Sequence, residues 1–377
     1  MKMRFTAGQR TGRDVFVFLF LFLGSLAVSA EDIQPGFKLI GDVSQTVEYT
    51  SASWDAPEQV GWLFQTDLKP QFTYGPVSFT ADMTWYLPLT ASLTPSTPSA
   101  TIYEAYFRVT PVESLDLTFG QKHYNIGVGQ IFTVGDTINP VIGFFDQKTG
   151  FRGATAEWSP VSWASASAAW STGTQPNSAA PVKPDQGLGA GQVSVLLDKL
   201  QLTASTVAGT DTLNPAVGAS YDLLGVILTG EGAAEFRPEG QTVSTPKLSG
   251  SGGARWTVTV TDDWDLTLAA QYLYWANSGA GTDPAARGIA DPQNAFFQVE
   301  VTGGTEFSLA TLVVLDLEDH SVLHQTVVTW TPWDNVDFVT TLQTASGGAG
   351  TAWRYVVDPV TGAKYQYAAS LAATYHF

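Results

Sequence analysis

Charged side chains are scarce in this sequence, so the few that recur at regular spacing carry much of its chemical information. Only 14% of its 377 residues are charged, against about 25% in ordinary globular domains. Between positions 82 and 152, Asp82, Glu104, Arg108, Asp116 and Arg152 alternate with apolar, aromatic or small neighbours, Lys122 extends the row, and Tyr106 adds a phenol to it. Fixed charges of both signs on one face of extended chain can pair across strands. Facing water, they also set a field that a passing ion or solute feels. These residues are therefore candidates for lining an aqueous passage, with ordinary wall-stabilising ion pairs as the plainer alternative.

Catalytic and metal chemistry finds less footing. Of the four histidines, His123 has no Ser or Asp at a triad-like spacing. His320 and His324 would converge only on a helix; their segment reads as strand, where they lie ~13 Å apart. Neither G-x-S-x-G nor H-E-x-x-H occurs, and no phosphate loop or dinucleotide fingerprint opens a helix. Asp316-Leu317-Glu318-Asp319 could hold a divalent cation, although a solvated acidic loop accounts for it better. The sequence thus predicts no catalytic residue, no metal and no cofactor.

The elements that must position the charged row are strands. Val77, Phe79, Ala81, Met83, Trp85 and Leu87 alternate with Ser78, Thr80, Asp82, Thr84 and Tyr86. The same period of two runs through 264–274 and 307–315, and through the final segment from Tyr365 to Phe377. Successive strand side chains point to opposite faces, so each stretch has an apolar side and a mostly polar side. On this reading Tyr103, Ala105, Phe107 and Val109 face outward, and Glu104, Tyr106 and Arg108 face inward. One register then sets Arg108 beside Asp116; a two-residue shift sets Glu104 beside Lys122.

Connections alternate between tight and long. Tight ones fall at Gly75-Pro76, Thr110 to Ser114, Ser159 to Ser162, Asp198-Lys199, Leu223 to Gly225, Thr261 to Asp263, Gly303 to Thr305 and Thr331 to Asp334. Long ones fall near 51–58, 89–100, 124–148, 172–189, 209–214, 237–249, 276–293, 316–320 and 345–364. The pattern predicts an all-β fold, an antiparallel transmembrane β-barrel of about 18 strands, or 16 or 14 if weak segments in 190–235 merge. Twelve Trp, 13 Tyr and 21 Phe, many of them at strand ends, fit interfacial girdles better than a soluble β-sandwich, propeller or solenoid.

Residues 1–30 read as a signal peptide: Lys2, Arg4, Arg10 and Arg13 precede an apolar run from Val15 to Leu23, and Val28-Ser29-Ala30 offers a cleavage site. The barrel then spans 31–377. The formal net charge is −17, and the basic leader makes the remainder more acidic still, which disfavours nucleic acid as a partner. With Cys 0, no disulfide can staple the fold.

The C-terminal segment resembles the outer-membrane porin class, whose members typically finish on a strand ending in Phe with apolar residues at alternate positions before it. Here these are Leu371, Ala373, Tyr375 and Phe377. The resemblance implies outer-membrane localisation and a lipid surround. It also implies that Leu371, Tyr375 and Phe377 belong to a membrane-insertion signal read by the barrel assembly machinery. Tyr103-Glu104-Ala105-Tyr106-Phe107, Phe119-Gly120-Gln121-Lys122 and Asp136-Thr137-Ile138-Asn139-Pro140 are similar to a pattern of some porin-like families. Those families carry Trp-Gly where this chain has Gly127-Val128-Gly129. By analogy with general porins a homotrimer is the expected assembly, though no residue marks its interface.

The connection 124–148 is unusually apolar for an exposed loop. It is expected either to fold into the barrel or to extend strands above the membrane. Ile131, Phe132, Asp136, Asn139, Phe144 and Phe145 are its candidate constriction residues. The function expected is passive diffusion of small hydrophilic solutes with weak cation preference. Alternatives are a substrate-selective transporter of hydrophobic compounds and a non-conducting adhesive or structural barrel.

Overall fold

The computed structural model describes residues 36–52, 59–74, 76–89, 99–128, 150–171, 187–209, 212–239, 242–243, 245–274, 293–347, 356–357 and 364–376. The strands in order are β1 (Phe37–Ala52), β2 (Gln59–Tyr74), β3 (Val77–Leu89), β4 (Ser99–Val112), β5 (Leu115–Lys122), β6 (Phe151–Val161) and β7 (Ala164–Ser171). They continue as β8 (Leu188–Leu197), β9 (Leu200–Ala208), β10 (Leu213–Leu223), β11 (Val226–Glu235), β12 (Pro238–Glu239), β13 (Thr242–Val243) and β14 (Lys247–Thr261). The last are β15 (Trp264–Tyr274), β16 (Gln293–Gly303), β17 (Phe307–Asp316), β18 (Val322–Trp333), β19 (Val336–Ser346), β20 (Val356–Val357) and β21 (Lys364–His376). β12, β13 and β20 have two residues each; the other eighteen strands form the barrel wall.

Every neighbouring pair in the wall is antiparallel, and the wall closes where β1 meets β21, from Asp42 opposite His376 to Thr50 opposite Ala368. Closure leaves no strand edge unpaired, which a structure surrounded by lipid requires. The number is eighteen rather than sixteen or fourteen because β8, β9, β10 and β11 are separate strands, each in full register with its neighbours.

Eight tight connections lie at one end of the wall, between β2 and β3, β4 and β5, β6 and β7, β8 and β9, β10 and β11, β14 and β15, β16 and β17, and β18 and β19. At Leu224-Gly225 both turn residues take positive φ, 55° and 86°, the conformation that matches a two-residue turn to the twist of its strands. The Asp222 carboxylate accepts the Gly225 N–H at 2.9 Å and holds that turn. The nine remaining connections, mostly longer, lie at the opposite end, the outside end of a bacterial barrel.

The distribution of apolar surface is the inverse of a soluble protein's. Phe72, Phe107, Phe119, Val217, Phe297 and Leu371 are exposed on the outside of the wall. Trp158, Trp163, Trp264, Trp330 and Trp333 cluster outward near the tight turns, and Trp85, Trp170, Tyr272, Tyr274 and Tyr367 near the other end. An exposed apolar band between two aromatic girdles is the surface of a barrel that crosses a membrane. On the inner face, the outer ends of β15–β18 turn apolar, with Leu273, Phe296, Val314 and Leu323 buried.

Candidate functional site

The inner faces of β1–β6 carry a ladder of charge. The Lys69 ammonium lies 3.4 Å from Asp82 across β2 and β3. Arg108 pairs with Asp116, which also accepts a hydrogen bond from the Thr110 hydroxyl at 2.5 Å. Lys122 pairs with Glu157 of β6, and its ammonium stands 5.8 Å from the centre of the Tyr106 ring. Glu104 accepts the backbone N–H of His123 at 2.9 Å and lies 3.2 Å from its Nδ1. Asp67 accepts from Thr84, and from Gln65 at 2.8 Å. Such partly exposed pairs contribute only about 0–1 kcal/mol each to stability, so their weight lies in the field they set across the lumen.

The structure brings Asp82, Glu104, Tyr106, Arg108, Asp116 and Lys122 onto one lumenal face and joins Arg108 to Asp116, one of the two pairs read in the sequence. A bulge between Val109 and Val112 sets Arg108 opposite Thr118, so its carboxylate partner Asp116 sits diagonally. Glu104 is held by His123 rather than Lys122. A second bulge lies opposite Asp82 and Met83 and omits Tyr103 from the ladder. Tyr103 therefore leaves the outward row, and its hydroxyl lies 2.8 Å from that of Tyr86.

Arg152 is a correction. It stands opposite Gln121 in register, on the side shared with Ala154, Ala156 and the exposed Trp158, which is the lipid side. The reason is its neighbour: Phe151, 1% exposed, turns inward and buries against Tyr124. Alternation then leaves Arg152 outside.

Beyond β5 the chain enters the lumen. The Tyr124 hydroxyl lies 2.8 Å from Ser167 Oγ on β7, and the Gly127 N–H donates to Gln192 Oε1 on β8 at 2.9 Å. Val128 reaches β10, where a Cβ built on Gly218 would stand 2.6 Å from Val128 Cγ2. Tyr124 and Ile126 are buried in a cluster with Phe151, Ala169, Ala190 and Val207. The Tyr124 ring meets Phe151 edge-on, centroids 6.3 Å apart at 89°. Burial pushes the Tyr124 phenol above its ordinary pKa, and the Ser167 hydrogen bond offsets part of that rise.

The wall that receives this segment is built of small residues. Ser165, Ser167 and Ala169 on β7, Ala190 on β8, Ser205 on β9 and Ala216 and Gly218 on β10 alternate with outward residues such as Trp170, Val193, Leu202 and Val217. Ile131, Phe132, Asp136, Asn139, Phe144 and Phe145 lie outside the described residues, as does Phe377. Leu371 and Tyr375 alternate outward on β21, Leu371 opposite Val47 and Tyr375 opposite Val43.

Two features had no local signal. His376 bridges the barrel seam, Nδ1 2.5 Å from Asp42 and Nε2 2.7 Å from Asp337. The other is the small-residue wall, whose alternating Ser and Ala were visible but without the segment they accommodate. His324 faces outward, hydrogen-bonded to Thr326 at 2.8 Å, while His320 occupies a turn at φ 60°. Asp316 Oδ1 caps that turn, accepting from the N–H groups of Glu318 and Asp319 at 2.8 and 3.2 Å.

No protein-family model and no curated protein sequence matches the chain. Solved structures do. A BenF-like porin from Pseudomonas fluorescens Pf-5 aligns with a TM-score of 0.60 at 9% identity, over 90% of this chain and 98% of that one. OccD3 (OpdP) of Pseudomonas aeruginosa aligns at 0.57 and 14% identity, over 93% of each chain. OccK2 (OpdF) of the same organism, solved in complex with glucuronate, aligns at 0.54 and 12% identity, over 90% and 98%. Identities this low speak to architecture alone, and the architecture is shared nearly end to end: the chain has the fold of the outer-membrane porins.

Proposed function

We propose that the chain is an outer-membrane channel for passive diffusion of small hydrophilic solutes, weakly cation-preferring and narrowed by the connection that follows β5. The observation that carries this reading is the entry of residues 123–128 into the lumen of a closed membrane barrel. A loop that crosses the inner wall reduces the free cross-section and brings permeants within range of the adjoining charge ladder. Cation preference is supported by the wall β1–β6, where Asp42, Asp67, Asp82, Glu104, Asp116 and Glu157 outnumber Lys38, Lys69, Arg108 and Lys122. On the same reading residues 1–30 are a cleaved export signal, and the final strand with Leu371, Tyr375 and Phe377 addresses the assembly machinery.

A substrate-selective passage is the second reading, favoured by the apolar cluster of Tyr124, Ile126 and Phe151 inside the lumen. Single-channel recording of the refolded protein under a salt gradient separates these readings. Stepwise conductance with a cation-signed reversal potential is the expected result. A folded barrel that conducts only when a particular ligand class is supplied would favour the selective passage, and permanent silence would overturn both.

A further inference from the structure

Three glutamines on the inner face of β16–β19 make no hydrogen bond with any other described residue. Gln298 on β16 alternates with the exposed Phe297 and Val299; Gln325 on β18 shares the side of the buried Leu323, and Gln343 on β19 that of Ala345. All three therefore point into the lumen, and each is partly exposed there. Other inner-wall glutamines are engaged: Gln65 donates to Asp67, and Gln192 accepts the Gly127 N–H.

Register joins the three in one line. Gln298 stands opposite Leu312 of β17, Leu312 opposite Gln325, and Gln325 opposite Gln343. The line crosses three strand spacings, about 14 Å, and because barrel strands tilt by ~35–45° it climbs the wall rather than ringing it. Gln298 accordingly lies nearer the tight-turn end of its strand than Gln325 and Gln343 lie to theirs. A solute moving along the lumen meets the amides in succession. This stretch of wall is also neutral: the inward positions from Ser308 to Val314, Leu323 to Thr329 and Val339 to Ala345 hold no charged residue. Glu300, next on the inner face of β16, adds a carboxylate acceptor below Gln298. A carboxamide both donates and accepts, as an alcohol does, whereas an ion finds no opposite charge along the line. Leu312, set between Gln298 and Gln325, gives an apolar step for the C–H face of a sugar ring.

We propose that Gln298, Gln325 and Gln343 form a binding track in the lumen for neutral polyhydroxylated solutes, sugars of one or two rings. The inference rests on the channel reading, so stepwise conductance of the wild-type protein is recorded first. A folded barrel that never conducts removes that reading and this inference with it. Maltose is then added at rising concentration, with a polyethylene glycol of the same hydrodynamic radius as the comparison. Maltose is expected to interrupt the current with a saturating concentration dependence. The glycol, which has no row of hydroxyls, lowers the current without saturation. Each of Gln298→Leu, Gln325→Leu and Gln343→Leu, with insertion checked by heat-modifiable migration, raises the half-saturating concentration roughly two- to ten-fold. The triple variant abolishes saturation and leaves the reversal potential under a salt gradient unchanged, because no charge is altered. In a conducting wild-type barrel, equal and unsaturating effects of maltose and the glycol overturn the proposal without recourse to any variant. So does saturation of a correctly inserted triple variant at the wild-type maltose concentration.

Discussion

Strands β2–β6 and β7–β10 build two walls of one lumen by opposite means. The first carries lysines, an arginine and carboxylates locked in cross-strand pairs; the inner face of the second is dominated by Ser, Ala, Thr and Gly. The difference follows from what each wall faces. A wall in contact with water can keep charge in pairs at little cost. A wall that receives a segment of its own chain must instead be low, because each added methylene would hold that segment away. Chemical poverty along β7–β10 is thus the condition for the segment's placement, and the charge lies on the adjoining stretch of wall, which meets it at the β6–β7 pairing.

The comparison is broken most severely by unseating the segment. Tyr124→Ala with Ile126→Ala removes the two side chains it contributes to the buried cluster; losses on the order of 3–5 kcal/mol for a buried aromatic and 2–5 for isoleucine are expected. Protease cleavage within 124–148 should accelerate, and open-channel current should become larger and noisier. A quiet, unchanged current would mean that the segment does not limit the pore.

The charged wall is tested by Lys122→Ala, which removes the ammonium paired with Glu157. The reversal potential under a salt gradient should move toward greater cation selectivity. The movement should shrink at 1 M salt, where the screening length falls to about 3 Å from about 10 Å at 0.1 M. Ser167→Ala on β7, the neighbouring strand on which it stands opposite Glu157 in register, carries no charge change and should leave that potential in place. It forfeits one hydrogen bond to Tyr124, about 0.5–1.5 kcal/mol, and should raise protease sensitivity of the segment only modestly. An equal shift of reversal potential in both variants would erase the distinction between the walls.

Much of the barrel was legible because its signals are local. Period-two alternation identifies strands whatever they pair with, and turn residues such as Leu223 to Gly225 mark a hairpin without reference to the rest of the chain. The lumenal face of Asp82, Glu104, Arg108, Asp116 and Lys122 follows from the same alternation. What alternation cannot give is the place where it slips. Tyr103 changes face at a bulge, and Arg152 is outward because Phe151 finds a lumenal partner that only the folded chain supplies. The seam pairs His376 with Asp42 across nearly the full sequence, and no short-range pattern encodes such a contact. The Ser and Ala of β7–β10 could be read as polar lining, but their meaning depends on the segment that packs there.

That packing is the central claim, and the chain's lack of cysteine makes it directly testable. A Cβ built on Gly218 lies 3.6 Å from Val128 Cβ, within the ~3.5–4.5 Å range that a disulfide spans. Val128→Cys with Gly218→Cys, oxidised in the folded barrel, should cross-link nearly completely, while each single variant stays uncross-linked. Maleimide labelling of both thiols at full stoichiometry after oxidation, in a correctly folded barrel, would place residues 123–128 away from β10 and contradict the account.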